Sequence, residues 1–189
     1  MRRLDLVVGP NGAGKTTFIS ETLAPLLPGS RAVNADEIAR RRWPADPERH
    51  GYDAARIAAD TRAHLIAAGE SFVAETVFSH PSKLDLIDAA HAGSYTVVLH
   101  ALLVPEALAV ERVRARVAAG GHQVPEQKIR KRYARLWPLV VRAVAAADLA
   151  SVYDNAGIRG PVRIAQFSAG TRIGVARWPA WAPELLRAL

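Results

Sequence analysis

The residues Gly9-Pro10-Asn11-Gly12-Ala13-Gly14-Lys15-Thr16-Thr17 fit the pattern G-x-x-x-x-G-K-[ST] at every fixed position. Glycines at this spacing let successive backbone N–H groups curl around phosphate oxygens, and a helix opening at the lysine points its partly positive end at them. Lys15 is then placed to reach the β- and γ-phosphates of a nucleotide. Thr16, first on that helix, offers its hydroxyl to a Mg²⁺ ion bridging the same oxygens. The alternative is a glycine-rich turn, but the apolar run Leu4-Asp5-Leu6-Val7-Val8 precedes the loop, and Phe18, Ile19, Thr22 and Leu23 recur at helical spacing after it. That is the strand, loop and helix setting the motif requires, and it makes ATP with Mg²⁺ the expected cofactor pair.

Phosphoryl transfer needs an acceptor side as well, and several residues qualify. Asp36 follows a short strand, where a carboxylate can orient an acceptor hydroxyl and take its proton; Asp36 and Glu37 would equally favour a helix N-terminus. Glu75 closes a Phe-Val-Ala-Glu run and is placed to hold the Mg²⁺ water shell or contact the acceptor, or stands as an ordinary strand-end acid. Thr76 and Ser79 are short hydroxyl residues in the loop that follows, with Ser79 before Pro81 also suited to cap a helix. Arg112 and Arg116, one turn apart, together with His122, Arg130 and Arg132, flank Gly120-Gly121 in the manner of a hinged lid that closes guanidinium groups on phosphate. Asn155 ends a late strand on the same side and is expected at the nucleotide. His100, mid-strand, reads as a histidine of the core or sheet face.

The elements that must position these groups alternate between strand and helix. Strand patterns cover residues 4–8, 31–34, 71–75, 95–104 and 149–153, and helical patterns cover 53–68, the stretch after Pro105, and a long segment from about Pro125 in which Pro138 should kink or split the helix. Residues 162–167 and 172–175, with Gly170 between, form a C-terminal β-hairpin pattern. The expectation is one α/β domain over residues 1–189, a doubly wound, mainly parallel five-stranded sheet of the P-loop type, with a helical lid at about 105–147 and the hairpin appended. Ligands bind at the carboxyl ends of strands in such sheets, where the loop at residues 9–17, Asp36, residues 76–79 and Asn155 all fall.

Composition narrows the function. The chain has no cysteine, which excludes disulfides and thiolate chemistry, and its histidines are not spaced with carboxylates as in a zinc site. No run of 18 residues lacks charges or helix breakers, and the apolar run after Arg2-Arg3 stops at Gly9-Pro10, too soon for a signal peptide. A cytoplasmic protein with no membrane partner is expected. From Arg112 to Arg142 nine Lys/Arg face one acid, Glu126, a local excess of +8 against +7 for the whole chain. An anionic partner is implied.

With these residues in place the chain resembles the zeta-toxin-like P-loop kinases, in particular their compact single-domain branch. The match is the ordered set of the Gly9–Thr17 loop, Asn34-Ala35-Asp36-Glu37-Ile38-Ala39, Glu75-Thr76, Glu111-Arg112-Val113 to Arg116-Val117, Gly120-Gly121-His122-Gln123-Val124-Pro125, Ile129 to Tyr133, and Tyr153-Asp154-Asn155. The resemblance implies ATP-dependent phosphorylation of a small-molecule hydroxyl, with the sugar of UDP-N-acetylglucosamine as the acceptor in the toxins best associated with the name. It implies Lys15 and Thr16 at ATP and Mg²⁺, Asp36 as base, Glu75 and Thr76 at the acceptor, Arg112, Arg116 and Arg132 in the lid, and a separate antitoxin protein as a partner. Residues 77–80 read Val-Phe-Ser-His where relatives carry more small polar residues, so the acceptor is the feature least transferable.

Two other functions compete. A polynucleotide or RNA-end kinase, or a nucleic-acid-stimulated ATPase, would use the basic helices, but base-stacking platforms need aromatics, and only Tyr133 and Trp137 fall between Arg112 and Arg142. An ATP-dependent switch or assembly module without acceptor chemistry would hydrolyse nucleotide without transferring phosphate to any metabolite. The chain lacks the Asn/Thr-Lys-x-Asp and Leu-Ser-Gly-Gly signatures that would mark GTPase or transporter forms of that reading.

Overall fold

Alternation within strand β1 (Arg3–Val8) sets the layering of the molecule. Leu4, Leu6 and Val8 point to one face and join a core with Leu65 of α3 (Gly51–Ala68), Ile87 of α4 (Asp85–Ala92) and Val140 of α6 (Glu126–Ala146). Val7 points to the other face and packs with Phe18 of α1 (Lys15–Phe18) and Leu23 of the π-helical segment that extends it. Both faces are covered, which is why the strands are apolar on both sides. The computed structural model describes residues 2–119 and 124–189.

Five strands run parallel in the order β2-β3-β1-β4-β5, with β2 (Arg31–Asn34), β3 (Phe72–Thr76), β4 (Thr96–Leu103) and β5 (Leu149–Asp154). The hairpin β6 (Val162–Ser168) and β7 (Thr171–Arg172) then pairs antiparallel onto β5, so the sheet has seven strands rather than five with a separate appendage. Its inward residues explain the addition: Ile164, Ala165 and Phe167 are buried in the main core and cover the edge that β5 would otherwise expose. The second hairpin strand is shorter than the pattern implied: Ala169 and Gly170, both at positive φ, make the turn, Thr171 and Arg172 pair with β6, and after the Ile173 N–H bonds the Gln166 carbonyl the chain turns away at Gly174, φ 69°. Short helix α7 (Glu184–Arg187) closes the chain against the same core through Leu186.

Helices α2 (Ala35–Arg42) and α5 (Glu106–Ala118) follow β2 and β4 directly. Helix α6 runs through Pro138 without dividing. Leu136, Trp137, Leu139 and Val140 around the proline are all buried, and that packing holds the helix across the missing backbone hydrogen bond. The carboxyl ends of the parallel strands carry the loop after Val8, Asn34, Glu75 with Thr76, and Asp154, all on one edge of the sheet.

Candidate functional site

The loop between β1 and α1 closes on itself through the Ala13 N–H to the Pro10 carbonyl (3.2 Å), and the Phe18 N–H bonds the Gly14 carbonyl (2.9 Å). Gly12 and Gly14 hold φ of 78° and 80°, the left-handed region. Space forbids a side chain there as well: a Cβ on Gly12 would lie 2.6 Å from the Ala109 carbonyl oxygen, and one on Gly14 would lie 2.6 Å from Nδ2 of Asn155. Lys15 is buried, its Nζ donating to the Pro10 carbonyl at 3.0 Å. Burial pushes its ammonium pKa down; Glu75 and Asp36 resist, while Arg116 and Arg132 add to the depression. All four side chains therefore act on the same lysine.

The two carboxylates are positioned by different means. Glu75, at the end of β3, accepts from the Thr16 hydroxyl (2.9 and 3.2 Å) and from Asn34 Nδ2 (2.7 Å). Asn34 Oδ1 accepts the Asp36 N–H at 2.8 Å, capping α2 and fixing Asp36 in its first turn. Asn34 thus ties the end of β2 to both acids. A hydroxyl and a carboxylate in contact are hard oxygen donors that suit Mg²⁺. Among the described residues there is no group of three or more His, Cys, Asp or Glu to hold a metal alone, so an ion between Thr16 and Glu75 would complete its shell with phosphate oxygens and water.

Two cavities meet at this point. The first, about 920 Å³, is lined by Asn11, Gly12, Gly14, Lys15, Thr16 and Thr17 of the loop, by Arg40 and residues 44–48, and by Arg112 and Arg116. The second, about 630 Å³, shares Lys15, Asn34, Asp36 and Glu75 with the first and continues past Thr76 and Ser79 to Arg62, Lys83, Lys128 and Arg132. Thr76 Oγ1 accepts the Phe78 N–H (3.2 Å), and Phe78 is buried at φ 61°, a strained conformation that keeps the segment against the cavity. The turn Pro81–Lys83 is capped by His80, whose side chain accepts the Ser82 N–H, leaving Ser79 on the cavity wall.

The basic segment divides into distinct uses. Arg112 donates to the carbonyls of Asn155 (2.9 Å) and Ala156 (3.3 Å) while also lining the first cavity. Arg116 lines that cavity too, and Arg132, with Lys128, Lys131 and Arg135, lines the second. Arg114 and Arg130 pair instead with Glu126 and Glu106 at the surface. Asn155 is not among the lining residues: its Nδ2 donates to the Ala13 carbonyl at 2.8 Å, bracing the loop from beneath, and Gly9, Pro10 and Ala13 likewise shape the loop without lining either cavity. His122 and Gly120-Gly121 lie outside the described residues.

His100 is buried and donates through Nε2 to Asp5 Oδ1 (2.9 Å), and Arg3 donates to both Asp5 oxygens (2.7 Å each). Burial pushes the Asp5 carboxyl up, but the bonds from His100 and Arg3 outweigh it and hold the pKa below the usual range. Phe18 lies against His100 and Tyr153, so this network sits directly under the phosphate-loop helix. Sequence reasoning left Asn34, Arg40, residues 44–48, Arg62 and Lys83 out of the site. Asn34 carried a signal, an Asn two residues before an acid at a strand-to-helix junction; Arg62 and Lys83 carried none, since only the fold brings them to the same cavity.

Residues 4–139 match the family model described as an AAA domain. No curated protein matches the sequence. Among solved structures, the chain is similar to AvrRxo1-ORF1 with AvrRxo1-ORF2 and ATP, at 16% identity and TM-score 0.70 over 92% of this chain, and it spans 60% of that chain's length. It is similar to the PezAT toxin-antitoxin system of Streptococcus pneumoniae at 13% identity and TM-score 0.65, covering 100% of this chain and 83% of that one. A third is a putative kinase from Chloroflexus aurantiacus, at 22% identity and TM-score 0.57, covering 71% and 78%. At these identities the likeness is one of fold, an α/β P-loop kinase-like architecture.

Proposed function

This chain belongs to the AAA domain family, and from that premise we propose that it is an ATP-dependent kinase transferring the γ-phosphoryl group to a hydroxyl of a small anionic molecule. The observation that carries the reading is the second cavity. A nucleotide switch or hydrolase needs only the phosphate site, whereas here Asp36 and Glu75 form a wall common to that site and to a space of about 630 Å³, the size of a small-molecule pocket. The basic side chains of α6 line this space, whose size of about 630 Å³ suits a small anionic acceptor.

In the proposed reaction the N–H groups of the loop and Lys15 hold the phosphates, and Thr16 with Glu75 holds Mg²⁺, which supplies charge neutralisation when bound. Asp36 orients the acceptor hydroxyl and takes its proton as the new O–P bond forms and ADP leaves. Arg112, Arg116 and Arg132 stabilise charge on the transferred group, with residues 105–147 acting as a lid of one domain over residues 1–189. Thr76 and Ser79 contact the acceptor, and His122, outside the described residues, is assigned to the same role. UDP-N-acetylglucosamine is the first acceptor to test. A separate antitoxin-type partner belongs to the proposal because PezAT is a toxin-antitoxin system, as does a cytoplasmic location. No helix of the described residues is long and apolar enough to cross a membrane.

The test is mass spectrometry of a small-molecule extract incubated with the protein and ATP. A metabolite gaining one phosphoryl group in step with ADP release is expected. ATP consumption with release of inorganic phosphate and no labelled metabolite would replace the kinase by a hydrolytic switch.

A further inference from the structure

Arg62, on α3, is 7% exposed, and no hydrogen bond or ion pair joins it to any described residue. It lines the second cavity, as does Lys83 in the turn before α4. The two cations repel each other: burial and the nearby Arg62 both depress the Lys83 pKa, and burial alone depresses that of Arg62, with no carboxylate offsetting it. A buried charge without a partner is strongly unfavourable, so a fold that keeps one facing a cavity leaves room for a counter-charge from outside.

The other charged groups around the cavity sharpen the argument. Its carboxylates are Asp36 and Glu75, and both act on Lys15. Against these two acids stand Lys15, Arg62, Lys83, Lys128, Lys131, Arg132 and Arg135. Even with both acids matched to Lys15 and one arginine, the remaining cations have no anion in the wall. A guanidinium fork beside an ammonium matches a phosphate group, which offers several acceptor oxygens and up to two charges.

We propose that Arg62 and Lys83 form an anion subsite at which the acceptor is held by a phosphate group it already carries, so that the molecule phosphorylated is itself a phosphate ester or diphosphate. This rests on the kinase reading for the word acceptor, but the anion subsite stands on its own. It also gives Arg62 a role in selection: a neutral polyol of the same size would leave the guanidinium buried and unpaired, and would be rejected for that reason.

The experiment uses the full chain saturated with Mg²⁺ and a non-hydrolysable ATP analogue, so that the phosphate loop is filled, and titrates inorganic phosphate by calorimetry and by thermal shift. Saturable phosphate binding is expected, weakened about tenfold or more in Arg62→Gln and in Lys83→Met, with analogue affinity unchanged. The second variant alters a half-buried turn residue and guards against misfolding of the first. In a parallel arm, inorganic phosphate should inhibit transfer from labelled ATP into a small-molecule extract, and stripping that extract of phosphate esters and esterified diphosphates with phosphodiesterase and phosphatase together, both removed before the assay, should abolish labelling. Phosphate binding that is absent in the wild type or equal in both variants overturns the subsite, and phosphate that accelerates transfer identifies a free-ion effector and overturns its assignment to the acceptor. Labelled extract with unaltered phosphate binding sinks this inference alone, whereas Arg62-dependent phosphate binding without any labelled metabolite supports the anion subsite and sinks the kinase reading.

Discussion

Replacing Gly14 by alanine tests how the phosphate loop is held in shape. Gly14 sits at φ 80°, and an alanine there costs about 1–2 kcal/mol for the left-handed backbone. The added Cβ would also lie 2.6 Å from Asn155 Nδ2, too close for both to stay. Asn155 must swing away, and its 2.8 Å bond to the Ala13 carbonyl is lost, which adds roughly 1 kcal/mol. Gly14→Ala should therefore lower stability by about 2–3 kcal/mol, a large share of the stability of a small domain. In an Asn155→Ala background the obstruction and the hydrogen bond are both already gone, so the same substitution should cost only the backbone contribution of about 1–2 kcal/mol. The pair of differences is read by urea denaturation of the nucleotide-free protein across the double-mutant cycle, with ATP-analogue affinity measured alongside. A coupling near 1 kcal/mol is expected. An identical cost of Gly14→Ala in both backgrounds would refute the claim that Asn155 braces the loop from beneath.

Lys15→Ala should remove phosphoryl transfer and most ATP affinity, read by calorimetry and turnover, and undiminished turnover would contradict the phosphate-site assignment. Asp36→Asn keeps the shape but not the basicity, so transfer should fall by about 10²–10⁴-fold with ATP binding near normal; an active variant would leave Asp36 as a helix-start residue. Arg116→Ala should lower kcat more than ATP affinity, and Arg112→Ala, which also frees the 155–156 carbonyls, should lower kcat and reduce Tm relative to the wild type; an unchanged Tm in Arg112→Ala would argue against a bracing role for those bonds. Asp5, with its pKa held below the ordinary 3.8, contributes stability that is present above that value and is lost as pH falls through the lower folded value. Asp5→Asn should therefore flatten the acid limb of a urea-midpoint profile from about pH 5 downward, and an unchanged slope there would show that Asp5 is not the titrating group.

The sequence by itself determined the phosphate loop, the order of the elements and the α/β class. These depend on local rules: a glycine spacing that a lysine and threonine complete, apolar runs for strands with both faces covered, and helical periodicity with Gly stops such as Gly69. They survive because residues near in sequence carry them. The tertiary structure decided what lies far apart in the chain. The carboxylate of Glu75 meets the hydroxyl of Thr16 across 59 positions because β1 and β3 are neighbours in the sheet, a pairing no local pattern encodes. Asn155, expected at the nucleotide, is instead under the loop, since β5 ends beside β4 and delivers it to Ala13 from below. The basic excess after Arg112 was legible as a total but not in its division between backbone carbonyls, surface acids and cavity walls, which depends on the face of α5 or α6 each side chain occupies. Arg62 is the extreme case. In sequence it is one more arginine on an amphipathic helix, and only the packing of α3 against the sheet removes it from water while leaving it open to a cavity.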